Sequence, residues 1–425
     1  MSGQITSNVF RGSGVIAATA GGLNWVSTVV TASTLTAEAG NGYWINTTSN
    51  ACTITLPGSA ERGDKIIFID YARTWGTNAV TLDQNGLNYQ GGTVNPVYDT
   101  DGETVSIVYA DATKGWIPLN DEEVADAPVG PPTQKGIFGF GDVADTYQNM
   151  TNLVSSSGVV ATDTTGTGTA RQGPGAGATY GFDKAIFAFG TLVGGAKTNI
   201  KNLVNNSGVM ASDATGVGTA RSALSATTFG TSGEAIFAYG IAGPQQSISN
   251  KVSSSGVVAT DTTGVGTARS RLGACSYGVG LGIFGFGETG SYNSMTNLVS
   301  SSGVIATDTT GTGTAKIFVY ASGYGVGLGI FAYGVTSGVT NTRNLITNVG
   351  VCGTDQSGVG TSRRAPAAMR FGSSGQALFA YGLTTWPNYT SASNIISNTG
   401  VQSSDVTGVG TSRDRLAGAG YSLSG

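Results

Sequence analysis

The chain has 425 residues, of which 11% are charged and 39% are hydrophobic, and its formal net charge is −4. Disordered chains combine low hydrophobicity with high charge, so this composition excludes a mainly disordered protein. No basic run provides the electrostatic footprint of a nucleic-acid-binding protein, no stretch of about 18 apolar residues predicts a membrane-spanning helix, and no N-terminal secretion signal is expected.

Histidine is absent, which removes the commonest metal ligand and the usual base of a nucleophilic catalytic triad. The three cysteines lie far apart, at Cys52, Cys275 and Cys352, and fit no zinc-binding spacing. We therefore expect buried, reduced cysteines in a protein that is assembled in a bacterial cytoplasm. We also expect no metal, no cofactor and no catalytic residue.

The N-terminal part divides into an arm, a β-domain and a linker. Residues 1–38 are rich in Ser, Thr, Gly and Val, and we predict that they form an anchoring arm that pairs with another chain. Residues 39–119 carry short apolar runs with a turn at residues 57–64 and a hairpin that turns at residues 112–115, so they predict a small β-sandwich or jelly roll. Residues 120–134 are acidic and proline-rich and predict a linker.

A repeated unit fills residues 135–425. Six aspartates mark it at intervals of 50, 48, 47, 47 and 50 residues, namely Asp163, Asp213, Asp261, Asp308, Asp355 and Asp405. Each aspartate stands eight residues before a basic residue, and ahead of it comes an asparagine that is followed six residues later by glycine. Earlier in each unit lies an apolar run such as "AIFAYG" at residues 235–240.

Each unit predicts four short strands and no helix. The apolar run alternates large and small side chains and ends at glycine, as a buried strand does, and its small residue between two aromatic residues indicates a closely packed neighbouring sheet. The run "NLVSSSGVVATD" predicts two further strands around a Ser/Asn–Gly turn, and residues 221–230 predict a fourth. The first unit lacks its opening strand, and residues 413–422 provide it at the end of the chain. We therefore predict a six-bladed β-propeller that the C-terminal strand closes.

The unit resembles the kelch repeat, in which an apolar strand ends in glycine and leads to a turn with Asp and a Thr-and-Arg exit. Here "AIFAYG", the recurring aspartate and "GTAR" stand in those places, whereas the kelch tryptophan and double glycine are missing. The resemblance covers residues 135–425. It implies a propeller architecture and no particular activity.

The repeated phrase "DTTGVGTAR" has a structural interpretation and a ligand-binding one. One carboxylate per turn is poor for calcium, which takes six to eight oxygen ligands, and no helix follows the Gly-x-Gly as a phosphate cradle requires. We therefore interpret the phrase as scaffold, in which the aspartate caps a turn and the basic residue pairs with that aspartate or with a neighbouring blade. A repeated sugar or cation site is the alternative.

Catalysis in the repeats is not expected, because glycoside hydrolysis needs paired carboxylates and no unit departs from the pattern to offer an acidic pair. Departures from the repeat lie in the loops after the apolar strands, at residues 142–150, 191–199, 288–295 and 383–392. The candidate contacts with a host-surface glycan or protein are the aromatic residues of these loops, Tyr147, Tyr292, Trp386 and Tyr389. The alternative is that these side chains fold onto their own blades.

The β-domain resembles a domain of tailed-phage virion proteins, notably of tail-fibre and tailspike-like chains. The segments "ACTITLP", "GDKIIFID" and "VSIVYADATKGWIPL" carry the resemblance, at positions Leu56, Pro57, Gly63, Asp64, Tyr109, Gly115 and Trp116. The resemblance covers residues 42–119 and implies an oligomeric virion component, attached to other virion proteins by its N-terminal part and displaying its C-terminal part. Trp116 also fits a plain core tryptophan, which is the role we expect.

The sequence thus predicts a phage virion structural protein, assembled in the host cytoplasm as a homotrimeric tail fibre or receptor-binding appendage. Several propellers would engage one host surface through weak, multivalent contacts. A capsid decoration or head-fibre protein is the first alternative, and a carbohydrate-binding lectin is the second. A depolymerase is the enzymatic alternative, and it requires a clustered acidic pair at the mouth of the ring.

Overall fold

The computed structural model describes residues 23–119, 133–173 and 176–424. The described chain is all-β, with many small sheets and no helix, so none of it is a helix long and apolar enough to cross a membrane. The chain forms two compact units, unit 1 (Met1–Val124) and unit 2 (Ala125–Gly425). The predicted linker lies outside the described residues except for its last two residues, and residues 1–22 of the predicted arm also lie outside them.

Unit 1 contains nine described strands. They are β1 (Asn24–Trp25), β2 (Thr34–Thr36), β3 (Asn41–Ile45), β4 (Cys52–Thr55), β5 (Lys65–Asp70), β6 (Val80–Asp83), β7 (Val97–Tyr98), β8 (Thr104–Asp111) and β9 (Gly115–Pro118). They form a five-stranded sheet in the order β1-β3-β5-β8-β9 and a four-stranded sheet in the order β2-β4-β6-β7. Strands β1 and β2 fall within the predicted arm, and both pair with strands of their own chain.

Alternation of apolar and polar residues directs one face of each sheet of unit 1 into a common core. In β4 the side chains of Cys52 and Ile54 are buried, and in β5 those of Ile66 and Phe68 are buried against them. The pairs β1/β3, β3/β5, β2/β4 and β4/β6 are parallel, which is not the antiparallel pairing of a jelly roll. Parallel pairing arises because successive strands from β1 to β6 alternate between the two sheets.

The predicted hairpin at the end of unit 1 is present. Strands β8 and β9 pair antiparallel, and Gly115 has a φ of 68° in a place where a Cβ atom would overlap the backbone of Asn88. Trp116 is fully buried, and its ring lies 5.5 Å from that of Tyr109. Leu56 is also fully buried. These residues of the phage-like pattern therefore have a structural role in the core, as we expected of Trp116.

Unit 2 contains twenty-three described strands. They are β10 (Lys135–Gly139), β11 (Asp142–Val143), β12 (Thr146–Tyr147), β13 (Thr151–Val154), β14 (Arg171–Gln172), β15 (Ala176–Tyr180), β16 (Lys184–Leu192), β17 (Lys197–Val204), β18 (Ser225–Phe229), β19 (Glu234–Ala238), β20 (Ser249–Val252), β21 (Gly273–Tyr277), β22 (Leu281–Gly285), β23 (Thr296–Val299), β24 (Tyr320–Tyr324), β25 (Leu328–Val335), β26 (Val339–Ile346), β27 (Ala367–Phe371), β28 (Gln376–Ala380), β29 (Leu383–Thr385), β30 (Asn388–Tyr389), β31 (Ser393–Ile396) and β32 (Ala417–Tyr421).

Eighteen of these strands form six equivalent sets of three antiparallel strands, while β14 adds to the second set and the pairs β11/β12 and β29/β30 form separate two-stranded sheets. The orders of the six sets are β32-β10-β13, β15-β16-β17, β18-β19-β20, β21-β22-β23, β24-β25-β26 and β27-β28-β31. We call β32, β15, β18, β21, β24 and β27 the first strands, since each stands first in its sheet. The predicted pairing of the C-terminal strand with the first repeat of unit 2 is present, because β32 pairs with β10 along five residues.

The second of the two strands predicted from "NLVSSSGVVATD" is reduced to isolated bridges in each repeat, whereas the strand predicted at residues 221–230 is present as β18. In the first unit only Val160 and Thr164 pair with β13, through Val154 and Thr151. Between these two points the side-chain amide of Asn152 donates to the carbonyl oxygen of Ala161 and takes the place of a ladder bond. The prediction of four strands per unit was wrong in this detail, because an asparagine side chain replaces part of the backbone pairing.

Each first strand contacts the first strands of two other sheets, in the order β32, β15, β18, β21, β24, β27 and again β32. Aromatic side chains join the second strands of the same neighbours with ring centroids 5.2 to 5.8 Å apart, in the pairs Phe140–Phe187, Phe189–Phe237, Tyr239–Phe284, Phe286–Phe331, Tyr333–Phe379 and Tyr381–Phe138. The small residue of each apolar run permits this contact. At Gly285 a Cβ atom would lie 2.7 Å from the ring of Phe331.

Candidate functional site

The repeated aspartate joins neighbouring sheets. Asp261 accepts a hydrogen bond from Asn250 of its own unit at 2.9 Å, and from the backbone N–H and the hydroxyl of Thr219 in the preceding unit at 3.0 and 2.6 Å. The guanidinium of Arg221, also from the preceding unit, donates to the amide oxygen of Asn250 at 2.7 Å. Arginine thus orients asparagine, and asparagine orients aspartate.

The same arrangement recurs around unit 2. The hydroxyl or backbone N–H of a threonine contacts the aspartate of the next unit in the pairs Thr169–Asp213, Thr219–Asp261, Thr267–Asp308, Thr314–Asp355, Thr361–Asp405 and Thr411–Asp163. The last pair joins the end of the chain to the first repeat of unit 2. Burial alone would raise the pKa of Asp261, but the bonds from Thr219 and Asn250 outweigh it and hold that pKa below its usual value.

These contacts support the scaffold interpretation of the repeated phrase. The basic residue was expected to pair either with the aspartate of its own repeat or with a neighbouring repeat. The structure has the second arrangement, since Arg221 lies 3.9 Å from Asp261 of the next repeat. The aspartate therefore links sheets and does not cap its own turn. Among the described residues no group of three or more acidic or cysteine side chains is placed to hold a metal ion.

Six equivalent residues stand two positions after the basic residues and share a left-handed backbone. They are Gly173, Ala223, Arg271, Phe318, Ala365 and Arg415, with φ values from 45° to 57°. Five backbone hydrogen bonds join them in sequence, each from the N–H of one residue to the carbonyl oxygen of the equivalent residue in the preceding unit, including Gly173 to Arg415 at 2.9 Å. We call this chain of bonds the left-handed ring.

A cavity of about 250 Å³ lies among the six first strands, beside the left-handed ring. We call it the shared cavity. Small residues from all six first strands line it, namely Ala176, Ala226, Ala274, Ala321, Ala368 and Gly418. Its aromatic lining residues are Phe318 and Tyr320, and its charged lining residues are Lys197, Arg271 and Arg415.

The cations of the shared cavity are held by polar partners, of which Gln172 and Thr191 belong to the lining and the carboxylates lie outside it. Arg271 donates to Glu288 at 2.5 Å, and Arg415 donates to Gln172 at 2.5 Å and to Asp142 at 3.4 Å. The ammonium group of Lys197 donates to the hydroxyl of Thr191 at 3.0 Å, and burial lowers its pKa. The two arginines are therefore fixed in position by polar partners.

Two buried aspartates lie side by side behind Arg415. The backbones of Asp142 and Asp414 exchange hydrogen bonds of 2.9 and 3.1 Å, and the two side chains are only 1% and 2% exposed respectively. The statement that the repeats offer no acidic pair was wrong, because this pair combines a residue of the first unit with one from the end of the chain. Burial withdraws both carboxylates from solvent, so they do not form a site that a glycan can reach.

Substitution of Asp414 by asparagine is expected to stabilise the protein above about pH 6. Burial raises the pKa of Asp414 to about 6, and neighbouring Asp142 and Asp145 add to this while Arg415 and Arg364 oppose it. The folded state thus binds the proton more tightly than the unfolded state. The free energy of unfolding therefore falls as the pH rises from about 4 to 6, because a buried charge at Asp414 is unfavourable.

At pH 8 we expect Asp414→Asn to raise the free energy of unfolding by about 1 to 3 kcal/mol, and near pH 4 to leave it unchanged. Urea denaturation at both pH values measures this. Asp64→Asn in unit 1 is the control. An Asp414→Asn variant that is less stable at pH 8 than the unsubstituted protein would contradict the burial argument.

The structure brings three of the four candidate aromatic residues together. The hydroxyl of Tyr389 accepts a hydrogen bond from the backbone N–H of Ala144, and the ring of Tyr389 lies 6.1 Å from that of Trp386. Tyr147, in the hairpin that contains Ala144, accepts a hydrogen bond from Gln172 at 2.6 Å. We call Tyr147, Trp386 and Tyr389 the aromatic group.

Exposure separates the members of the aromatic group. Trp386 is 61% exposed, whereas Tyr147 and Tyr389 are half-buried and hydrogen-bonded. Tyr292, 41% exposed, lies apart from them in the loop after β22. Contact of the four residues with a glycan or protein stays a prediction, and Trp386 has the surface area for it.

Sequence reasoning missed the shared cavity and its arginines. A usable signal was present, because the residue two positions after each basic residue varies from glycine and alanine to arginine and phenylalanine while its surroundings repeat. In comparisons with known proteins, no family model and no curated protein matches the chain. The kelch and phage resemblances therefore remain predictions.

Proposed function

We propose that unit 2 is a six-bladed β-propeller in which each three-stranded sheet is one blade. The cyclic order of contacts among the six first strands supports this. So do three kinds of contact that join the last unit to the first, namely the hydrogen bond of Thr411 with Asp163, that of Arg413 with Asn152, and the ring contact of Tyr381 with Phe138. A propeller is the architecture that uses such closure.

We further propose that the protein is a virion structural protein of a tailed phage, a tail fibre or receptor-binding appendage. One observation carries the proposal. The repeated Asp, Asn, Thr and basic side chains of unit 2 are engaged between sheets, whereas side chains that depart from the repeat form the exposed loops. This division suits a rigid scaffold that displays variable contact residues.

Unit 1 is proposed to attach the protein to other virion proteins and to trimerise. The resemblance to phage β-domains supports attachment. The position of β1 at the edge of the five-stranded sheet supports pairing with another chain, since its Trp25 is 41% exposed and rests 4.7 Å from the ring of Trp44. A capsid decoration protein uses the same anchor and display domain and is the second candidate.

Electron microscopy of intact particles, labelled with gold-tagged antibody against residues 135–425, tests the proposal. We expect label at the tail. Label over the head would replace the tail-fibre proposal with the decoration proposal. Particles without label, from a lysate that contains the protein, would contradict both and favour the lectin alternative.

Loss of the exposed aromatic surface is expected to weaken adsorption to host cells. Trp386→Ala removes the most exposed member of the aromatic group, and we expect at least a tenfold lower adsorption rate constant, because tryptophan is enriched among residues that dominate binding. Val326→Ala is the control, since Val326 is 88% exposed in the turn between β24 and β25. Equal adsorption by both variants would show that Trp386 is not a contact residue.

A further inference from the structure

The lining of the shared cavity is positively charged, and its arginines pair with carboxylates outside the lining, among them Asp414 at 3.9 Å from Arg415. Its three charged residues, Lys197, Arg271 and Arg415, are cations, and none of the described residues that line it is acidic. The carboxylates that hold the two arginines, Glu288 and Asp142, stand behind them. The hydrogen bond described for Lys197 goes to a neutral hydroxyl, so the ammonium charge has no acidic partner there. A cavity with this lining attracts an anion.

The left-handed ring does not require arginine at these two places. Arg271 and Arg415 have φ values of 57° and 51°, a backbone region that costs a non-glycine residue about 1 kcal/mol or more. Their contribution to the left-handed ring is made by backbone N–H and C=O groups, which any residue supplies. Ala365 makes both kinds of ring bond, and the carbonyl oxygen of Ala223 accepts one, without a polar side chain. Arg415 has a structural role as partner of the buried carboxylates of Asp142 and Asp414, whereas Arg271 pairs only with Glu288 among the described acidic residues. A strained arginine at that place indicates a role in binding.

The guanidinium groups retain donors for a ligand. The hydrogen bonds described for Arg271 and Arg415 leave from Nη1 in both residues. Their side chains are 36% and 30% exposed. An arginine fixed by one carboxylate, as Arg271 is by Glu288, can form a forked, charge-assisted pair with the carboxylate of a ligand through its remaining donors. The Nε atom of Arg415 already lies 3.9 Å from Asp414, so this arginine contributes fewer donors.

The remainder of the cavity lining suits a sugar ring. Phe318 and Tyr320 offer aromatic surface, and the guanidinium of Arg271 lies 4.9 Å from the ring centre of Phe318. Ser222 and Ser225 offer hydrogen-bonding groups for hydroxyls. The volume of about 250 Å³ is below the roughly 300 Å³ at which pockets for drug-sized ligands begin. A single sugar unit is an occupant of the right size.

We propose that the shared cavity binds a carboxylate-bearing sugar unit, with Arg271, Arg415 and Lys197 receiving the carboxylate and with Phe318 and Tyr320 contacting the ring. The proposal deepens the proposed function, because the acidic sugar would belong to a host-surface glycan. The site itself is defined by unit 2 alone and does not depend on where the protein sits in a particle.

Calorimetric titration of the full chain with methyl glycosides tests this inference. The probes are methyl galacturonide and methyl glucuronide, each compared with its neutral counterpart, methyl galactoside or methyl glucoside. At low ionic strength we expect each acidic sugar that binds to do so at least tenfold more tightly than its counterpart, and to lose affinity as salt is added. Failure of both acidic sugars to bind, or equal binding of the neutral ones, would overturn the proposal.

Variants and a competitor make the test specific. Arg271→Ala introduces the residue found at two equivalent positions of the left-handed ring, so it should fold, and it should weaken acidic-sugar binding at least tenfold. Arg343→Ala, outside the cavity lining, should bind as the unsubstituted protein does. Inorganic phosphate that displaces the sugar at equal concentration would overturn the sugar assignment and leave a general anion site.

The outcome can be separated from that of the proposed function. Acidic-sugar binding by a protein that labels no particle would sustain the site and refute the virion role. Gold label at the tail together with no acidic-sugar binding would sustain the virion role and refute the site.

Discussion

Truncation of the chain after Leu416 is expected to abolish the cooperative unfolding of unit 2. The truncation removes β32, which pairs with β10 along five residues and contacts the first strands β15 and β27. It also removes the buried side chains of Ala417, Ala419 and Tyr421. At about 1 kcal/mol for each ladder bond, together with the loss of one buried tyrosine, the change is on the order of 5 kcal/mol or more. That is comparable with the total stability of many domains.

The measurement is thermal unfolding followed by near-ultraviolet circular dichroism, together with size-exclusion chromatography. Because β10 then presents an unpaired edge, we expect aggregation as well as loss of the transition. A second truncation, after Leu423, retains β32 and the backbone bonds of Ser422 with Asp183 and Gln134 and should melt as the full chain does. A shorter chain that melts like the control would show that unit 2 does not need closure.

Much of unit 2 was predictable because its interactions repeat. Residues such as Asn250, Asp261 and Arg221 recur at fixed spacing, and each apolar run that ends in glycine becomes the second strand of a sheet. The missing opening strand of the first unit correctly indicated the pairing of β32 with β10. The reduction of the second strand predicted from "NLVSSSGVVATD" could not be seen from apolar alternation, since the Asn152 side chain replaces a backbone bond within it.

The site was less predictable than the fold, because its residues come together only through the pairing of distant units. Asp142 and Asp414 belong to opposite ends of the repeat region. Their proximity arises only because β32 pairs with β10. Arg271 and Phe318 occupy equivalent positions but have different chemistry. In unit 1, alternation predicted buried faces, yet it carries no information on whether neighbouring strands run parallel.

The second large effect is expected at the buried basic residue of the repeat. Arg269 is fully buried and donates to the carbonyl oxygen of Phe286 at 3.0 Å and to the amide oxygen of Asn297 at 2.5 Å. It also lies 3.5 Å from Asp308 and 4.2 Å from the ring centre of Tyr239. Arg269→Met keeps much of the volume but leaves Asn297 and Asp308 without their cation.

We expect Arg269→Met to lower the free energy of unfolding by about 3 to 5 kcal/mol, as loss of one partner of a buried ion pair does. Urea denaturation measures the change. Arg62→Met is the control, because the side chain of Arg62 is 80% exposed, and it should change stability by no more than about 0.5 kcal/mol. Equal stability of the two variants would mean that the repeated Arg–Asn–Asp contacts do not hold neighbouring sheets together.

Arg269→Lys distinguishes charge from geometry at the same position. The fourth unit already carries lysine there, and Lys316 keeps the bond to the amide oxygen of its asparagine, Asn344, at 2.6 Å. We therefore expect Arg269→Lys to cost only about 1 to 2 kcal/mol, chiefly for the bond to Phe286. Burial lowers the pKa of Lys316 to about 8 but that of Arg171 only to about 10. Arginine thus remains charged at this buried position near neutral pH, because its pKa lies further above 7 than that of lysine. This difference accounts for the presence of arginine in five of the six repeats.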